Sequence, residues 1–191
     1  MFSRITRLFR QKKQEPESSV IEMGALDEWL DAEEQSCISR RTKHINHSRD
    51  LISKARGDIL TLLQTFGAED TAEPLHPKVE QVNRHNLPQF RRKIETTLDI
   101  TFSDDDEAYY RQVAEMIDGC FKAYRGPGRY LHHIYPDEVK LFRQSMDQIG
   151  HELNRLTEVI KTSRIRLGRI ATLRDARERY TSSESEMAKV Q

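Results

Sequence analysis

Between Phe142 and Ile170 one kind of position returns at alternating steps of four and three: Phe142, Met146, Ile149, Leu153, Leu156, Ile160, Ser163, Leu167 and Ile170. Ser163 is the only polar member. A pattern held over four heptads requires a helix, because only a helical period returns those side chains to one face. The stripe is also too narrow for a helix buried all round, so it has to be covered by another helix. A second seam precedes it: Ile45, Ile52, Ile59 and Phe66 recur every seven residues, with Ser48, Ala55 and Leu62 between them. The expected fold is therefore all-α: an elongated helical bundle, or antiparallel coiled coil, of two long helices braced by shorter ones.

Composition agrees with that economy of apolar surface. Hydrophobic residues make up 36% of the 191 residues and charged residues 32%, with a mean hydropathy of -0.77. Such values fit either disorder or long helices that bury a stripe, and the seams select the second. The formal net charge is zero, so no global field draws the chain to nucleic acid or to a membrane.

Breakers divide the chain. Residues 1–13 read as a basic amphipathic helix, residues 14–24 as an acidic linker punctuated by Pro16 and Gly24, residues 25–180 as the helical bundle, and residues 181–191 as a disordered tail. Within the bundle the first long helix should run from about Ala25 to Phe66, with Gly67 ending it. A connector with Pro74 and Pro77 follows. The segment from Val79 to Leu98 contains Pro88, which predicts a kink or two shorter helices. Ser103 ahead of Asp104, Asp105, Asp106 and Glu107 marks the start of the next helix. Gly126-Pro127-Gly128 ends it, and Pro136-Asp137-Glu138 opens the last one. At 1.5 Å per residue the two long helices would each reach roughly 50–60 Å. The second seam turns charged at Arg174 and Arg177, so contact with its partner should fade there. The segment around Trp29, before the first regular heptad, should pack differently or dock something else.

Four features of the sequence are candidate sites. The first residues place Phe2, Ile5, Leu8 and Phe9 on one face, flanked by Arg4, Arg7, Arg10, Lys12 and Lys13 with no acid. That pattern suits an anionic membrane surface or a docking partner, reversibly, since each cation is worth about 1 kcal/mol at such a surface. A plain leader folding back on the acidic 15–34 stretch is the competing reading, and an organellar transit peptide a lesser one. The segment Arg125–Tyr135 gathers Arg125, Arg129, Tyr130, His132, His133 and Tyr135, a possible phosphate or carboxylate loop. The plainer reading is a hairpin whose Tyr130, Leu131, Ile134 and Tyr135 plug the bundle. His44 and His47 lie three apart, but without the acidic partner of a bundle metal site, so no metal is expected. Lys161–Arg179 carries seven cations against two acids. It could track nucleic-acid phosphates, although it lacks interleaved aromatics.

No nucleophile elbow, phosphate loop, paired-cysteine or dinucleotide motif is present, so no catalytic residue, enzyme activity or cofactor is expected. Cys37 and Cys120 fall at apolar helical positions and read as packed thiols. No apolar run approaches the roughly 20 residues of a membrane span, and no secretory core is visible. The function expected on these grounds is that of a non-enzymatic helical scaffold or adaptor. It would self-associate or bind a protein partner in the cytoplasm, at the inner membrane surface if the leader meets lipid. Nucleic-acid association through residues 161–179, and phosphate or small-ligand binding at residues 125–135, are the alternatives.

Overall fold

The computed structural model describes residues 21–67 and 76–189. A short 3-10 turn, Met23–Ala25, leads into α1 (Leu26–Thr65); α2 (Pro77–Leu98) and α3 (Asp106–Arg125) follow, then a 3-10 helix (Pro127–His133) and α4 (Pro136–Lys189). The described residues are all-helical or connecting, and the helices pack as a bundle around one core.

Each boundary has a local cause. Asp27 and Glu28 place acids on the first turn of α1, where they favour the helix dipole. The chain leaves α1 through Gly67, whose φ of 69° is a left-handed conformation that costs glycine little. A Cβ at Gly67 would also stand 3.0 Å from the Tyr135 hydroxyl. Pro77 occupies the first turn of α2, where its missing N–H is no loss. Asp105, rather than the expected Ser103, caps α3: its Oδ1 accepts from the Ala108 N–H at 2.8 Å. Ser103 sits one step further out, and its Oγ accepts from the Asp105 N–H.

Two expectations about continuity are revised. Pro88 does not split the second segment, and α2 runs through it. Pro88 is exposed while Phe90, Ile94 and Leu98 beyond it are buried, so tertiary packing outweighs one missing backbone bond. The expected disordered tail is also helical as far as Lys189. No glycine or proline interrupts residues 181–189. Side-chain hydroxyls of Thr181, Ser183 and Ser185 turn back on carbonyls three or four residues earlier.

At one end, here called the head, α1, α2, α3, the 3-10 helix and α4 converge on aromatic side chains. Phe66 lies 5.7 Å from both Phe90 and Tyr135, and Phe90 lies 5.6 Å from Phe142, ring centre to ring centre. Tilted and edge-on rings at these spacings add to what their burial contributes. Gly128 is required here, because a Cβ would meet the Phe90 ring at 2.9 Å. Truncating any of these phenylalanines to alanine would cost about 3–5 kcal/mol.

Beyond the head, α1 and α4 continue together as an arm. Their partners run in opposite order: Ser48 meets Glu152, Glu33 meets Arg166, Asp31 meets Arg174 and Asp27 meets Arg177. Of the first seam, Ile45, Ser48, Ile52, Ala55, Ile59 and Phe66 are buried. Leu63 takes the place expected for Leu62, which is half-buried. A straight helix drifts from a seven-residue repeat by about 20° per heptad, and by Leu63 the drift has moved the buried line over by one residue. Of the second seam, Phe142, Met146, Ile149, Leu156, Ser163 and Ile170 are buried, while Leu153, Ile160 and Leu167 are half-buried.

Candidate interaction surface

The arm is where charge and apolar surface meet, and its interior changes character along its length. Near the head the α1–α4 interface is apolar. In its middle stands a buried polar pair that the heptad pattern did not reveal. Glu152, 4% exposed, accepts a hydrogen bond of 2.7 Å from the Ser48 hydroxyl. Arg155 Nη1 lies 3.8 Å from its other oxygen. A carboxylate inside a seam is costly unless its lone pairs are used, and Ser48 is small enough to admit it.

Towards the tip the seam becomes largely ionic. Leu30 and Cys37 are buried, as is Ile170 on α4. Around them Glu33 pairs with Arg166 and Asp27 with Arg177, while Arg174 reaches Asp31 at 2.5 Å and Glu34 at 2.6 Å. Hydrogen bonding to Glu34 is the main reason the Arg174 pKa is raised further. Contact therefore does not fade at Arg174 and Arg177. The acidic early turns of α1 meet the basic late turns of α4, and α1 stays on α4 through its first turns. Periodicity of apolar residues could not show this; the opposite charge of the two stretches could have.

The same logic disposes of much of the basic 161–179 stretch. Arg164 pairs with Glu107 of α3, and Arg166, Arg174 and Arg177 with acids of α1. Lys161, Arg169 and Arg179 form no ion pair among the described residues. A second basic group, Arg41 and Arg49 of α1, holds the start of α3. Both bond Asp106, at 2.6 and 3.2 Å, and Arg49 also lies over the Tyr109 ring at 4.4 Å. The run Asp104–Asp106 thus both starts α3 and fastens it to α1. Burial pushes the Tyr109 hydroxyl up to about 12, with Arg49 and Arg56 pulling the other way. Burial alone pushes the Cys120 thiol up to about 12.

The residues of the expected ligand loop separate. Leu131 and Tyr135 are buried and Ile134 half-buried, so this part plugs the head. The Tyr135 hydroxyl accepts from Asn83 Nδ2 at 2.7 Å. Arg125, Arg129, Tyr130, His132 and His133 are exposed, which takes Tyr130 out of the plug. The His132 and His133 rings lie 3.7 Å apart, and the Arg125 and Arg129 guanidiniums lie over Phe121 and Tyr130 at 5.7 and 5.8 Å. His44 is half-buried and His47 exposed, and no group of three or more metal-ligating side chains gathers among the described residues. The leader residues Phe2, Arg4, Ile5, Arg7, Leu8, Phe9 and Arg10 lie outside the described residues. Among the described residues no helix is long and apolar enough to cross a membrane.

On the outside of the arm, apolar side chains remain uncovered. Trp29 is 40% exposed, Leu173 46%, Tyr180 47% and Met187 64%. Compared with protein-family models, curated proteins and solved structures, the chain shows no match.

Proposed function

We propose that the chain is a non-enzymatic helical scaffold or adaptor whose two long helices form an antiparallel coiled-coil arm, held at an anionic membrane surface through its basic leader. The observation that carries this reading is the arm itself: a helix pair, bound along its length, that ends in exposed Trp29, Leu173 and Tyr180. Long two-helix projections present surface to partners more readily than they enclose a substrate. α1 begins beside Arg177, at the arm tip, and residues 2–13 precede it in sequence. Their four apolar side chains and five cations suit an interfacial helix, and a single short helix of this kind binds reversibly.

Co-sedimentation with vesicles containing anionic phospholipid tests it, using the full chain and a variant lacking residues 1–13. The full chain should pellet, less so as salt is raised, and the variant should stay in solution. Equal binding by both, or by neither, refutes the anchor.

A further inference from the structure

Past Arg177, which pairs with the first turn of α1, α4 continues to Lys189 with no other described helix beside it. Every residue from 178 to 188 is exposed, and the larger apolar side chains around and beyond Arg177 share one face. Leu173, Ala176, Tyr180, Ser183 and Met187 follow one another at steps of three, four, three and four. All are exposed, which makes a third heptad stripe beside the seam that α1 covers. Two charges border it. Arg169 lies one turn before Leu173 on the same face, and Glu184 lies one turn after Tyr180, whose hydroxyl donates to it at 2.8 Å. Trp29 belongs to the same side of the arm. It stands one turn from Glu33, Glu33 pairs with Arg166, and Arg166 is seven residues from Leu173.

We infer that this stripe is the contact surface for a second copy of the chain, paired antiparallel about a twofold axis beside Ala176. The inference rests on the scaffold reading above and specifies its self-association. The stripe is complementary to itself in that one register. Leu173 falls opposite the partner's Tyr180, Arg169 opposite the partner's Glu184, and the small Ala176 lies at the crossing, where two helices come closest. A surface that is its own partner is what a twofold dimer needs. A second chain accounts at once for the apolar spacing, for the cation at one end and for the carboxylate at the other. Trp29 extends the apolar patch at the same level.

Arg166 to Met187 spans about 32 Å of helix. At a helix width of roughly 10 Å its footprint is near 300 Å² per chain. That is well below the roughly 800 Å² per partner of a stable complex, so the dimer is weak and concentration-dependent. It has a functional consequence all the same. Each dimer carries two copies of residues 1–13. Two weak lipid contacts joined in this way bind with avidity.

Sedimentation velocity over a concentration series tests the interface on the full chain. The wild type should dimerise reversibly. Glu184→Arg or Arg169→Glu alone, each placing like charges opposite one another twice per dimer, should raise the dissociation constant by roughly tenfold or more. The double reversal should return it to within about threefold of wild type, because the pair is re-formed with its signs exchanged. Mild oxidation should link Ala176→Cys chains to one another but not Glu178→Cys chains, which carry the thiol at an exposed position two residues, or about 200°, round α4. A monomer up to about 1 mM, a dimer indifferent to the single reversals, or a reversal that the double variant does not rescue overturns the interface. Vesicle binding is a separate result: a chain that dimerises without pelleting loses the anchor and keeps this interface, and a monomer that pellets through residues 1–13 does the opposite.

Discussion

Replacing Ser48 by alanine removes one hydroxyl from the middle of the α1–α4 interface and leaves Glu152 where it is. The carboxylate, 4% exposed, then keeps only Arg155, whose Nη1 stands 3.8 Å away. A hydrogen bond to a charged group is worth about 1.5–3 kcal/mol when its loss strands the charge. Arg155 is itself 40% exposed and compensates in part, so the lower half of that range, about 1.5–2 kcal/mol, is expected. For a chain of this size that is a fall of about 3–8 °C in Tm, or roughly 0.5–1 M in urea midpoint. Glu152→Leu alone should cost less, because the Ser48 hydroxyl can turn back on its own helix carbonyl. Ser48→Ala with Glu152→Leu should be more stable than Ser48→Ala and near or above the wild type, since replacing a buried polar pair by apolar side chains is often neutral or better. Urea unfolding of the four proteins, read as a double-mutant cycle, gives the coupling directly. A Ser48→Ala chain within about 0.5 kcal/mol of wild type, or a double variant no better than the single, would falsify the account of Glu152 as a charge held by Ser48.

The ionic tip and the buried thiol give two further tests. Arg174→Glu sets a third carboxylate beside Asp31 and Glu34, so amide exchange should accelerate in residues 26–37 and 166–177 and stay unchanged around Phe90. Uniform acceleration would mean that the arm does not open on its own. Cys120 ionises at 9.0 when unfolded but is pushed up to about 12 in the fold, so only the unfolded chain loses the proton in between. Folding stability should therefore be unaffected below 9.0 and decline as pH rises towards about 12. Cys120→Ala should remove part of that decline, and an identical pH slope in urea midpoints of wild type and variant would contradict it.

The helices and their buried faces were legible because they depend on local pattern. Phe142, Met146, Ile149, Leu156 and Ile170 are buried where their spacing requires, and Gly67 and Pro136 stand at helix ends as their backbone preferences dictate. What was not legible depends on which element lies opposite. Nothing in the order of residues around Glu152 distinguishes it from the many solvated acids; its burial follows from Ser48, 104 positions away. Leu62 and Leu63 differ by a single step, and the choice between them is set by the drift of α1 against its neighbours. Pro88 signals a break locally, but the buried side chains that follow it keep α2 whole. The tip was not legible in apolar spacing, because α1 and α4 are joined there largely by Asp27, Asp31, Glu33 and Glu34. For the candidate surface, the spacing of Leu173, Tyr180 and Met187 carries the third stripe, but only the start of α1 opposite Arg177 shows that no described helix covers it.

That α1 and α4 are the first and last α-helices among the described residues also sets an order of assembly. Their meeting encloses α2 and α3 in a loop, so the first contact between them carries most of the closure entropy. The separation between partners grows outward, from 104 positions at Ser48 and Glu152 to 133 at Glu33 and Arg166 and 143 at Asp31 and Arg174. Once the head has formed, each further pair closes only a small additional loop, and the arm can zip towards its tip one turn at a time. Opening retraces the path, so the free ends of α1 and α4 part first while the aromatic head remains shut.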